Sequence, residues 1–327
     1  MFKFILFRVL QAIPTLLGVT FLSFLIIKLA PGDYLDQLRL NPQISPETIE
    51  RLKHLYGLDK PLLVQYFLWL KNALFFDLGY SFQYHAPVAE LILERIPNTL
   101  LLSVSSALFA WLLSIPLGTL AAFKENSLFD RFVVGFSYTF MSVPSFFLAF
   151  LLLFFASKTG ILPVGGMQSP NFEQLSIPEK VLDILKHLII PSLTLGLVSL
   201  ASLTRLVRSS VLEILSSPMV TMLKAKGVGT FTLVRHVLKN AMNPFTTLLG
   251  YEIASLISGA ALIEIIVGWP GMGMLMLNAV LSQDLFLVMG GLYIGTIMLL
   301  VGNLIADLLL AYIDPRVRKR LSGEFKL

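Results

Sequence analysis

The sequence predicts an all-α membrane protein with six transmembrane helices, on three observations. Hydrophobic residues make up 56% of the 327-residue chain and charged residues 14%, and the mean hydropathy is +0.79. That balance leaves too little polar surface for a water-soluble domain of this length. The apolar residues fall in long continuous runs without the alternation of barrel strands. Lys and Arg gather in alternate connections between those runs. Lipid offers the backbone no hydrogen-bond partner, so each crossing must be a helix of about 20 apolar residues.

In chain order the predicted spans are Val9–Ile27, Leu100–Phe123, Phe132–Ser157, Leu188–Leu206, Phe245–Val267 and Phe286–Ile313. The first follows Lys3 and Arg8 as a signal peptide would. It is too long for such a core, and "KLAPGD" has no small-x-small cleavage site, so an uncleaved anchor is expected. Six crossings put both termini on one side. Lys3 and Arg8, Lys124 and Arg131, the cations of 205–244, and Arg316, Arg318, Lys319 and Arg320 all fall on that side, whereas 268–285 has no Lys or Arg. Cations are retained in the cytoplasm, so both termini are expected there. Topology thus accounts for the net charge of +5. No basic groove interleaved with stacking aromatics is present, so nucleic acid is not an expected partner.

Two outer segments are long enough to hold structure. In 30–98, Ser45 as N-cap, Pro46 at the first helical position and Gly57 as a stop predict a short exposed helix. "KPLLVQYFLWLKNALFFDLG" then reads as an amphipathic helix in the membrane interface, ending near Gly79. In 158–187, "LPVGGMQSP" supplies turn residues. The domain plan is an N-terminal span over 1–29, an extracytoplasmic segment over 30–98, a five-helix core over 99–313 with a cytoplasmic loop at 207–244, and a basic tail over 314–327.

Catalytic constellations are missing. The chain has no cysteine, and its four histidines, His54, His85, His187 and His236, lack ligand spacing. There is no Walker loop, and the glycines of "AKGVG" and "WPGMG" follow no predicted strand. No catalytic, metal-binding or cofactor-binding residue is therefore expected.

The chemistry gathers instead in the cytoplasmic loop. "SPMVTMLKAKG" predicts a short helix with Ser217 as cap, Pro218 just inside and Gly227 as terminator, showing Met219, Val220, Met222 and Leu223 at its tip. A second helix begins near Thr230, with Phe231, Val234, Val237, Leu238 and Met242 on one face, His236, Lys239 and Asn240 opposite, and Arg235 at the border. Asn243-Pro244 breaks it at the membrane. Periodicity alone fits a membrane-hugging loop or a docking knob whose apolar tip fills a partner's groove.

The loop is similar to the coupling loop of ABC importer permeases, and most of all to the dipeptide/oligopeptide (nickel) permease family. There the region reads Y-V-R-T-A-R-A-K-G-L, then R-H-A-L-R-N-A and a proline. The matching residues are Lys224, Ala225, Lys226, Gly227, Arg235, His236, Leu238, Asn240, Ala241 and Pro244. Thr221, Met222 and Leu223 depart from Arg-Thr-Ala, and Met219 stands in place of Tyr. "LGVTFLSFLIIKLAPGD", "YGLDKPLLVQYFLWLKNALFFDLGYSF", "RIPNTLLLS", "IPLGTLAAF", "VPSFFLAFLLLFFA", "GAALIEIIVGWPGMGMLM" and "NLIADLLLAYIDPR" resemble the family in register across nearly the whole chain.

The resemblance implies a type I ABC importer permease fold and the role of the subunit with the long first outer loop. It implies a heterodimer with a second permease, two ABC ATPase subunits, an extracytoplasmic solute-binding protein, and transport of dipeptides, oligopeptides or a small solute such as nickel. Residues 218–227 would seat in the ATPase, supported by Arg235, His236, Asn240 and Pro244. Glu252, Glu264, Trp269, Pro270 and Gly271 are candidates for the gate or pathway. Intramembrane acids are costly unless paired or wet, so Glu252, Glu264 and Asp307 line a path or lock the gate, make interhelical hydrogen bonds or, for Glu264 and Asp307, snorkel. "GWPGMG" is a gate loop or a plain turn. Pro116, Pro144 and Pro191 mark kinks or helix starts. A self-sufficient secondary transporter or channel is the alternative, but it calls for paired mid-membrane charges and inverted repeats, which the sequence lacks.

Overall fold

The computed structural model describes residues 2–29, 35, 39, 45–242, 245 and 260–313. Among these the order is α1 (Phe2–Leu29), α2 (Pro46–Leu55), α3 (Leu62–Ala73), β1 (Tyr80–Ser81), β2 (Ala86–Pro87), α4 (Val88–Phe123), α5 (Leu128–Ser142), α6 (Ser145–Thr159), α7 (Ile177–Leu215), α8 (Pro218–Ala225), α9 (Thr230–Ala241), α10 (Ala261–Val267), α11 (Met272–Leu281) and α12 (Leu285–Ile313). Four stretches are long and apolar enough to cross a membrane, Arg8–Leu29, Val88–Phe123, Ile177–Leu215 and Leu285–Ile305, and two broken helix pairs, α5–α6 and α10–α11, raise the number to six.

Three expected spans take a different form. Phe132–Ser157 is not one straight helix, because α5 and α6 meet at a bend of 102°. Pro144 offers no backbone N–H and pushes Val143 into an extended conformation (φ −89°, ψ 123°), so α5 must stop there. The second and fourth spans begin well before the apolar runs, at Val88 and Ile177. At 36 and 39 residues, α4 and α7 are each over 50 Å long and outrun a hydrocarbon layer of about 30 Å. The start of α7 is set by a capping box: the Ser176 N–H and hydroxyl donate to the Glu179 carboxylate at 2.9 and 2.6 Å. Pro116 and Pro191 sit inside unbroken helices. Most of the fifth expected span lies outside the described residues.

The chain divides into two compact units, residues 1–99 with 270–304 and residues 100–269 with 305–327. Compactness thus groups the stretch from Pro270 with the N-terminal segment.

In the first unit the core joins Phe24 of α1, Tyr66, Trp69 and Ala73 of α3, Val88 and Ile92 at the start of α4, and apolar residues of α11 and α12. α2 forms where expected, with the Ser45 hydroxyl accepting from the Thr48 N–H at 3.3 Å. α3 ends at Ala73, before the expected Gly79. A two-residue hairpin follows that the sequence does not announce, pairing Tyr80 with Pro87 and Ser81 with Ala86. The fully buried Asp284 holds it. Its carboxylate accepts from the Ser81 hydroxyl at 2.7 Å, the Gln83 N–H at 3.0 Å and, as the cap of α12, the Leu287 N–H at 3.2 Å.

In the second unit α5, α6 and α10 pack on α7. Gly118 lets α4 meet α7 at close range: a Cβ there would stand 2.6 Å from the Thr204 carbonyl oxygen. Such small-residue crossings bring helix backbones together where lipid supplies no hydrophobic drive.

Candidate functional site

The cytoplasmic-loop residues build a helical knob on the end of α7. Ser216 closes α7, Ser217 is extended (ψ 152°), and Pro218 starts α8 with a φ already suited to a helix. Ser217 holds the N-cap position, but its hydroxyl donates back to the Ile214 carbonyl at 2.6 Å instead of capping α8. At the other end the Gly227 N–H reaches the Lys224 carbonyl at 3.0 Å and the Val228 N–H the Leu223 carbonyl at 3.2 Å. This double closure is a Schellman turn, and it requires the left-handed φ of +67° at Gly227.

The knob has its own core. Val220 of α8 and Leu233, Val237 and Ala241 of α9 bury against Val207 and Val211 of α7, with Phe245 below them. Phe245 meets Trp111 edge to face, ring centres 6.0 Å apart. Two expectations change here. Val220 is 1% exposed and faces inward, since a helix this short lying on α7 must turn one stripe toward its support. Met219 and Leu223 flank Val220 and are half-buried, which leaves Met222, 50% exposed, as the apolar tip. On α9, Phe231 is 83% exposed and Leu233 replaces it in the buried stripe, spaced four residues from Val237.

Around Met222 the surface is cationic. Thr221, Lys224, Ala225 and Lys226 share the exposed side of α8, and Arg235, His236 and Lys239 are exposed on α9. No carboxylate occurs between Glu213 and Glu252. Asn240 links the two helices: its amide donates to the His236 carbonyl at 2.8 Å and lies 3.7 Å from the Met219 sulfur. Pro244 lies outside the described residues.

One further pair anchors the knob's base, and sequence reasoning missed it. Arg208 of α7 grips Asp130 of α5 with two hydrogen bonds, Nε to Oδ1 at 2.5 Å and Nη2 to Oδ2 at 2.8 Å. The Asp130 side chain is 4% exposed. It also accepts from the Asn126 N–H at 2.9 Å, and its own N–H is capped by Ser127 at 3.2 Å. Both residues carry recognisable local signals, a first-turn acid after a Ser cap and a cation near a span end. Nothing in the sequence joins positions 78 residues apart.

Of the gate candidates, Glu252 lies outside the described residues. Glu264 and Trp269 are fully buried, which excludes snorkelling for Glu264. The Trp269 backbone N–H donates to the Glu264 backbone carbonyl at 2.8 Å, and its side chain packs with Leu102 and Leu188 in the second unit. In the first unit the Pro270 carbonyl accepts from the Asn98 amide at 2.8 Å, and the Met272 N–H donates to the Thr99 hydroxyl at 2.8 Å. Gly271 is buried as the N-cap of α11. Among the described residues no three His, Asp or Glu side chains converge as metal ligands.

Residues 114–319 match the family described as binding-protein-dependent transport system inner membrane component, and residues 1–103 match its N-terminal companion. The chain is 38% identical over 320 residues to the oligopeptide transport system permease protein AppB of Bacillus subtilis, covering 97% of this chain and 99% of that one. It is 34% identical over 338 residues to the dipeptide transport system permease protein DppB of Escherichia coli K12, covering 98% and 100%. A putative peptide permease protein of Brucella suis is 38% identical over 324 residues, covering 97% and 99%. With matches of this length lying over the helical framework and the knob alike, the chain belongs to the binding-protein-dependent transport system inner membrane components, a family of membrane transport permeases and not of enzymes.

Proposed function

We propose that this chain is one of two non-identical permeases of an ATP-driven importer of dipeptides or oligopeptides. Two ATPase subunits hydrolyse ATP, and an extracytoplasmic binding protein delivers the solute. The observation that carries the peptide assignment is that full-length relatives from three bacteria all bear peptide transport in their names. The knob supports the coupling role. A rigid, capped helix offers one apolar side chain ringed by cations, suited to an acid-rimmed groove. Its base continues into a 39-residue helix, so a push on α8 is carried as a lever. Deleting the chain from its host is expected to abolish uptake of labelled dipeptides and oligopeptides. Uptake that persists with the ATPase subunits deleted would instead reveal a secondary transporter.

The orientation is testable in the same system, because the chain has no native cysteine. Cysteines at Glu50 and Gln168 are expected to react with an impermeant thiol reagent applied outside, and one at Gly229 to stay unlabelled. Outside labelling at Gly229 would reverse the topology, with the termini no longer cytoplasmic.

A further inference from the structure

The hydrogen bonds and ring contacts of α3 fix its depth. The Tyr66 hydroxyl lies 2.9 Å from the Thr20 hydroxyl and donates to the Leu17 carbonyl at 3.2 Å. Thr20 is nine residues before Leu29, the end of the apolar stretch of α1, so it lies about 13 Å along the helix from that end. α12 gives the same depth independently. Trp69 packs edge to face on Tyr293 with ring centres 5.8 Å apart, and Tyr293 is nine residues past the helix cap Asp284, again about 13 Å. Half a hydrocarbon layer is about 15 Å.

The chain goes down to that level and comes back along α12. Tyr56, before α3, rests on Phe286, ring centres 5.7 Å apart. Trp69 is at Tyr293. After α3, Leu78 lies against Gly290, Gly79 against Phe286, and Ser81 bonds Asp284. The last four of these five contacts, at positions 293, 290, 286 and 284, mark successive steps along one helix toward its capped end. Tyr66 and Trp69 of α3 thus sit beside points about 13 Å along α1 and α12 from those helix ends.

The side of α3 turned away from this core is mainly apolar, with Lys71 and Asn72 also exposed in its last turn. Leu63 and Phe67 are 57% and 61% exposed, and Leu74 and Phe75, just past the helix, are 69% and 80% exposed. At this depth water-exposed side chains of that size would be out of place, and a soluble partner has no access. We propose that Leu62–Ala73 is a re-entrant, membrane-embedded helix whose exposed face is solvated by lipid acyl chains, in the leaflet that holds the Asp284 end of α12. α1 likewise exposes apolar side chains at Leu22 and Ile26. Lys71 is exposed in the last turn of α3, and snorkelling along this surface would carry its ammonium toward the lipid phosphates. Segment 30–98 is then only partly an aqueous outer loop.

Spin labels on single cysteines test this in the complex assembled with its partner subunits, in vesicles of phosphatidylethanolamine and phosphatidylglycerol. At Leu63→Cys and Phe67→Cys, relaxation by membrane-soluble oxygen is expected to exceed relaxation by water-soluble chromium oxalate, with the reverse order at Glu50→Cys. Both sites are exposed, so neither variant removes core packing. Because oxygen and the vesicle lipids report depth from either side, the result does not depend on the topology or the transported solute. Dominant relaxation by chromium oxalate at positions 63 and 67 would place the face in water and overturn the proposal. Low collision with both reagents would also overturn it, showing the face covered by another protein subunit.

Discussion

Met222→Asp is expected to release the ATPase subunits and abolish solute-stimulated ATP hydrolysis, while the permease still inserts and pairs. Met222 is half exposed and stands outside the knob's core, so the substitution costs the isolated chain little. In the docked state the same carboxylate would be dry and would face a groove complementary to cations. An uncompensated buried charge costs about 3 kcal/mol or more, over a hundredfold in affinity. Met222→Leu keeps volume and polarity and is expected to retain binding. Leu223→Asp is the less discriminating variant, because Leu223 packs against the knob's core and its loss would also loosen α8. Gly227→Val reaches the same end by another path: a β-branched residue at φ +67° breaks the Schellman turn and frees the end of α8. Co-purification of the ATPase subunits with each variant provides the measurement. Undiminished recovery with Met222→Asp would remove the docking role from this helix.

The second large effect concerns Asp130 and Arg208. Arg208→Ala leaves a carboxylate that is 4% exposed with only backbone N–H partners, and a destabilisation of about 3 to 5 kcal/mol is expected. Asp130→Ala should cost less, since the Arg208 side chain is 22% exposed and its guanidinium can turn toward water. The double variant should be more stable than the sum of the two losses predicts, because it strands no charge. Thermal unfolding midpoints in detergent measure all three. Additive losses would show that the two groups do not depend on each other. Function is expected to fall with stability: the pair ties α5 to α7 just above the knob, and a lever with a loose base transmits less of the ATPase movement.

The sequence held much of this site in its local chemistry. Pro218 and Gly227 bounded α8 and Thr230 opened α9 to within a residue, because capping and termination depend only on neighbouring backbone groups. The orientation of α8 was not legible. Its apolar residues Met219, Val220, Met222 and Leu223 cover most of a short helix, and periodicity does not say which stripe meets α7. On α9, Phe231 and Leu233 compete for the same face, and the register onto Val207 and Val211 selected Leu233. The Asp130–Arg208 pair escaped for a related reason. Each residue has a local explanation, and their meeting depends on how α5 lies against α7.

Hydropathy by itself determined the all-helical membrane class and the approximate position of each apolar run, because the cost of unsatisfied backbone groups in lipid leaves few other solutions. It could not determine how far a helix continues beyond its apolar stretch, as α4 and α7 do, nor that Pro144 turns one expected span into two helices at 102°. Tertiary structure alone decided the place of α3. Its sequence is apolar on one face with a few polar residues opposite, which suits the membrane surface and its interior alike. The contacts of Tyr66 with Thr20 and of Trp69 with Tyr293 set its place along α1 and α12, since a buried hydroxyl and a packed indole must go where their partners are.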